Sequence, residues 1–420
     1  MHKNSYHRVI FSLAVAASVM LGLCLTAGVT DAAALTPIEQ LGKHLFFDKI
    51  SDPDSMACAE CHAPDVGFTG PIPGINKHGA VYRGAIPTRF GNRKPPSAAY
   101  ATLSPVFHYD MEEGLFVGGN FWDGRATGEH LGNPAADQAL GPFLNPVEQN
   151  NPSKMAVCNQ VAASKYASLF VSVWGSLDCS YTGVEQMYDR IGLSIAAYEA
   201  SGEVNQFSSK FDYYTASKAP LSALEKAGLT LFNGKAMCSA CHPSEPGPFS
   251  DKALFTDFTF DNLGVPKNPE NPFYAMDKVY LDDGTPINPQ GADWIDPGLG
   301  GFLMTRPEWA ALAAENYGKQ KVPTLRNVDK RYGNGFPKAY MHNGALKSLK
   351  EVVHFYNTRD VLARCDEVMK PAPRVNCWPA PEVPENVNSD ELGNLGLTEA
   401  EEWAVVEFMK TLSDGYVLPQ

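Results

Sequence analysis

The chain has 420 residues, of which 44 % are hydrophobic and 19 % charged. That mix excludes disordered, collagen-like and polytopic membrane classes. A formal net charge of −13, with no run of Lys or Arg, excludes nucleic acid as a partner and favours partners with basic faces. The 36 Gly and 32 Pro predict many turns and long loops between short helices.

Residues 1–34 read as an export signal. Lys3 and Arg8 form the charged start, residues 9–29 are largely apolar, and Ala32 and Ala34 supply a small-residue cleavage site. The expected compartment is the periplasm, with cell-surface association left open. No later stretch is long and apolar enough to span a membrane.

The string Leu35-Thr36-x-x-Glu39-x-x-Gly42-x-x-Leu45-Phe46 follows, with a capping box that predicts a helix start. Next comes Cys58-Ala-Glu-Cys61-His62. The same frame returns 186 residues later as Leu221-Ser222-x-x-Glu225-x-x-Gly228-x-x-Leu231-Phe232, followed by Cys238-Ser-Ala-Cys241-His242. C-x-x-C-H is the attachment signal of c-type haem. Two thiols add to the two vinyl groups on one porphyrin edge, and the adjoining His offers an imidazole to the iron. A zinc knuckle would need more ligands per site, and a thioredoxin-like pair would not explain the His. Two covalent haems are therefore expected. Each half also closes on a capped helix, opened by Thr182/Glu185 and by Thr398/Glu401. A first helix, a haem-bearing turn and a last helix crossing the first is the plan of a c-type cytochrome domain. The expected class is mainly α, with two cytochrome c-like haem domains over residues 35–204 and 205–420. Each carries a long loop insertion, 63–120 and 243–340. Cys158, Cys179, Cys365 and Cys377 suggest two local disulfides in an oxidising compartment, 158 with 179 and 365 with 377, although cross-pairing is also compatible with the sequence.

With these two motifs and the string Phe121-Trp122-Asp123-Gly124-Arg125-Ala126, the chain resembles the bacterial di-haem cytochrome c peroxidases and their relative MauG. Gly141-Pro142-x-x-Asn145-Pro146-Val147-Glu148, Thr324-Leu325-Arg326-Asn327-Val328 and Tyr340-Met341-His342-Asn343-Gly344 extend the likeness over nearly all of the chain beyond the signal. The resemblance implies a peroxidatic haem in the N-terminal domain and an electron-transfer haem in the C-terminal one. It implies reduction of hydrogen peroxide with electrons from a small c-type cytochrome or cupredoxin, passed from the second haem to the first. The alternative is a MauG-like enzyme that uses peroxide to oxidise Trp or Tyr side chains of a partner protein. A plain electron carrier would leave Glu148 without a role. A homodimer is compatible with the family.

The resemblance also assigns residues. His62 and His242 are the proximal iron ligands, and Cys58, Cys61, Cys238 and Cys241 carry the haems. Glu148 is the distal acid/base, with Gln138 and Pro142 beside it. His78 falls on the distal His of the peroxidases, and Trp122 on the tryptophan between the haems. The second iron's distal ligand, a Met in the peroxidases, falls on Tyr356, where MauG carries a tyrosine. By composition alone Met276, Met304, Met341 and Met369 also qualify, and His354 reads as a surface residue. A calcium ion between the domains is among the family's features. The sequence departs from that pattern where Lys94 follows Arg93 and where residues 329–337 are lengthened.

Overall fold

The computed structural model describes residues 34–278, 280, 284 and 286–419. The stretch 1–34 expected to be an export signal lies, but for Ala34, outside the described residues. Residues 35–420 cluster as one compact unit. Among the described residues, no helix is long and apolar enough to cross a membrane.

The chain is mainly helical. Helix α1 (Pro37–Phe47) starts where the Glu39 carboxylate accepts the Thr36 N–H at 2.6 Å. There follow α2 (Pro134–Leu144), α3 (Lys154–Ala163), α4 (Ala167–Trp174) and α5 (Val184–Ala200). The second half holds α6 (Ala223–Phe232), α7 (Leu349–Thr358) and α8 (Glu399–Lys410). Ser222/Glu225 and Thr398/Glu401 form complete capping boxes on α6 and α8. Thr182 forms none: its hydroxyl pairs with that of Ser180 at 3.1 Å, and α5 starts behind Gly183 without a side-chain cap. Sheet is limited to three two-stranded pieces among the described residues. They pair His108–Asp110 with Leu115–Val117, Phe260–Asp261 with Gln320–Lys321, and Ala363–Arg364 with Cys377–Trp378.

The internal repeat is a packing device. Helix α1 crosses α5 at Gly42, where a Cβ would stand 1.8 Å from the Ser194 carbonyl oxygen. Helix α6 crosses α8 at Gly228, where a Cβ would stand 1.9 Å from the Ala404 carbonyl oxygen. Both crossings need a residue without a side chain, because helix backbones in contact leave no room for a methyl. Leu41, Leu45 and Phe46 of α1 pack with Ile191, Ile195 and Tyr198 of α5 in one hydrophobic core. Phe232 of α6 packs with Val405 and Phe408 of α8 in another. Leu254 and Phe258, from the second half of the chain, belong to the first core, so the halves interlock. The disulfides are the local ones, Cys158–Cys179 and Cys365–Cys377.

Candidate active site

Two cavities, of about 220 and 190 Å³, open beside the two C-x-x-C-H runs. In the first, Cys58–Cys61 form a single helical turn that delivers His62. The His62 Nδ1 lies 3.1 Å from the Phe68 carbonyl oxygen. A carbonyl only accepts, so Nδ1 carries the proton and the lone pair sits on Nε2. In the second, the His242 Nδ1 donates to the Phe255 carbonyl at 2.8 Å with the same consequence. Burial pulls both imidazoles down to about 4, which keeps them neutral. A neutral imidazole oriented by a backbone carbonyl suits an iron ligand. The four motif cysteines stay unpaired while the other four form disulfides. Burial pushes Cys58 and Cys238 up to about 12, so they stand as neutral thiols. Each cavity thus presents two free thiols and one oriented imidazole, the donor set a c-type haem requires.

Glu148, Gln138 and Pro142 all line the first cavity. The chain leaves α2 at Asn145, whose side-chain amide donates to Glu148 Oε1 at 2.6 Å. The Glu148 backbone is pinned in turn, its N–H donating to the Asn145 carbonyl at 2.9 Å and its carbonyl accepting from Ala85 N–H at 2.6 Å. Burial raises the Glu148 carboxyl, against the pull of Arg125 and Asn145.

Trp122 lines both cavities. It sits in a tight turn with Phe121 and Gly124 at positive φ, and its indole N–H donates to the Lys94 carbonyl at 2.8 Å. Asp123 beside it pairs with Arg93 at 2.5 Å, and Arg93 reaches on to Asp296 at 2.6 Å. The Trp122 ring lies edge-on to His342, 6.4 Å between centroids.

Tyr356 lines the second cavity from α7, and its hydroxyl has no hydrogen-bond partner among the described residues. Burial pushes its phenol up. Of the four methionines, only Met341 lines that cavity. Met304 and Met369 are 66 % and 96 % exposed, and the Met276 sulfur accepts the Phe90 N–H elsewhere.

His78 does not join the first cavity. It is 62 % exposed and its ring lies 3.3 Å from the Glu270 carboxylate. The helical turn before it is tied down by Asn76, which donates to the carbonyls of Gly70 at 2.8 Å and Pro337 at 3.2 Å. The expected ligand to the first iron is therefore held at the surface in this arrangement. His354 corrects the sequence reading in the other direction. It is half-buried, hydrogen-bonded to Glu402 at 3.0 Å and packed near Trp378.

Sequence reasoning passed over two groups. Glu199 lines the first cavity, is 4 % exposed, and burial pushes it up to about 8. Its signal was available: it follows Ile191 and Ile195 at four-residue spacing on the apolar face of α5. Lys321 lines both cavities beside Trp122, with its ammonium on the Ser104 hydroxyl at 2.9 Å. No local pattern marks it.

Residues 37–219 match the family model described as di-haem cytochrome c peroxidase. The methylamine utilization protein MauG of Paracoccus denitrificans is 33 % identical over 380 residues, covering 89 % of this chain and 88 % of that protein. A cytochrome-c peroxidase of Denitromonas iodatirespirans, IdrP1, is 28 % identical, covering 89 % of this chain and 80 % of that protein. The crystal structure of the diheme peroxidase BthA from Burkholderia thailandensis superposes with a TM-score of 0.70 at 28 % identity, covering 91 % of this chain and 87 % of that one. Two thiol-and-imidazole cavities joined by a tryptophan thus sit in a chain whose relatives work on peroxide: it belongs to the di-haem cytochrome c peroxidase and MauG family and is an oxidoreductase that uses peroxide.

Proposed function

We propose that the chain reduces hydrogen peroxide to water with electrons from a small redox protein, taken in at the C-terminal half (205–420) and used at the N-terminal half (35–204). The observation that carries this reading is Trp122, which lines both cavities while Glu148 stands in only the first. When bound, the haems would supply irons that gain and lose electrons. His62 and His242 would hold the irons through Nε2, and Tyr356 would be the further ligand of the second.

The protein's own work is to place protons and electrons. Breaking the O–O bond heterolytically requires a proton to leave one oxygen and arrive at the other. Glu148, fixed at Oε1 by Asn145, keeps Oε2 free for both transfers. Gln138 and Pro142 border the same space and would orient the peroxide. Two electrons from the donor and two protons turn each hydrogen peroxide into two waters. Trp122, held by Lys94 and its indole N–H, is the aromatic group through which the electrons pass between the halves. His78, at the surface, leaves the first cavity open to peroxide.

Tyr356 favours a second reading. A phenolate ligand lowers an iron's potential where a thioether raises it, and so suits a stored oxidant better than an electron inlet. In that reading the two electrons come from Trp or Tyr side chains of a partner protein. The test adds peroxide to the holoprotein with and without reduced cytochrome c. Stoichiometric oxidation of the cytochrome is expected. No oxidation, together with a persistent near-infrared band in the sample without donor, would instead establish the second reading.

A further inference from the structure

We infer that the ammonium of Lys338 takes the place of the calcium ion that the family carries between its two haem-bearing halves. Lys338 is 6 % exposed. Its Nζ donates to the carbonyl of Val66 at 2.9 Å, to that of Lys330 at 2.7 Å, and more weakly to that of Asn327 at 3.5 Å. Three carbonyls meet the three N–H groups of one ammonium. They come from both halves of the chain: Val66 follows His62 in the first, and Asn327 and Lys330 lie in the second. The backbones there are in contact, since a Cβ on Gly67 would stand 2.9 Å from that of Asn327.

Calcium does not fit this cage. It takes six to eight oxygens at 2.3–2.6 Å, usually with carboxylates among them. Here the carbonyls already receive N–H groups, and the nearby carboxylate of Asp329 is engaged by Arg331. The surroundings are also cationic. Lys94, half-buried and lining both cavities, follows Arg93 where the sequence departs from the family's pattern, and Lys94, Lys330 and Arg331 all act on Lys338 as like charges. Burial pulls the Lys338 amine down to about 7 and Asp329 draws it up, while three carbonyl oxygens around one Nζ call for three N–H groups. The lengthened 329–337 segment has a physical purpose on this reading. It carries the lysine back into the cage, where Arg331 donates to the Phe336 carbonyl at 3.1 Å and Asn76 to that of Pro337 at 3.2 Å.

The inference is independent of the peroxidase reading, because none of its readouts requires turnover. Holoprotein dialysed against metal-free buffer without chelator is assayed for calcium by mass spectrometry. Its melting midpoint and EPR spectrum are then recorded with EGTA and with millimolar calcium. No stoichiometric calcium, and no change in midpoint or spectrum, are expected. One calcium per chain, or a midpoint that rises with added calcium, would overturn the inference. Lys338→Met removes the charge at similar length and is expected to lower the midpoint by several degrees; an unchanged midpoint would also overturn it. Should that variant not accumulate, the calcium assay on the natural chain decides alone.

Discussion

Glu148 shows how much one side chain here depends on its neighbours. A carboxylate in this loop would ordinarily be solvated; pinned by Asn145 and half-buried in the first cavity, it has a raised pKa and one free oxygen. Replacing it with Gln keeps the shape and removes the proton transfer. The expected loss in kcat/KM for peroxide is about 10²–10⁴-fold, at unchanged haem content, measured by stopped-flow absorbance. Because the carboxyl is raised, its base form is lost as pH falls through a value above the usual ~4.3 of glutamate. The acid limb of the natural enzyme's pH profile should sit above that value and vanish in Glu148→Gln. Tyr356 yields a sharper test. Tyr356→Met should raise the reduction potential of the C-terminal haem and change its absorption spectrum in a spectroelectrochemical titration. An unchanged potential would remove Tyr356 as a ligand. That Glu148 lines the first cavity and Tyr356 the second could be read from their fixed distances to unmistakable strings. The surface position of His78 could not be read that way, because spacing alone cannot say that Asn76 holds its turn against Gly70 and Pro337.

At the scale of elements, the two helix crossings explain the repeat. Gly42 and Gly228 are read easily, since each sits at the same place in a frame that recurs after 186 residues. Gly228→Ala forces a methyl against the Ala404 carbonyl, which the backbone can accommodate only by parting α6 from α8. A destabilisation of about 3 kcal/mol is expected, read as a lowered unfolding midpoint. Local capping signals were reliable where no neighbour competed, as at Ser222 and Thr398. Thr182 failed because Ser180, two residues away, offers its hydroxyl a nearer partner.

Across the whole molecule, the halves are joined by contacts that no local pattern announces. Tyr100 reaches Asp414 at 2.8 Å, Lys338 reaches Val66, and Trp122 touches both cavities. The haem motifs and the tryptophan string stand out in the sequence, but pairings over hundreds of residues are set by how the cores interlock. The net charge of −13 also acts at this scale. If a basic donor is steered to the acidic surface, its second-order rate should fall steeply as ionic strength rises through ~0.15 M, where the Debye length shrinks to about 8 Å. A rate indifferent to salt would point to a donor of another kind. Everything else rests on two haems held by one chain, with one iron open to peroxide. The EPR spectrum of the oxidised holoprotein tests that directly. The account predicts a high-spin signal from the first iron, with Tyr356 bound to the second. Two low-spin six-coordinate signals, with neither iron accessible, would contradict it.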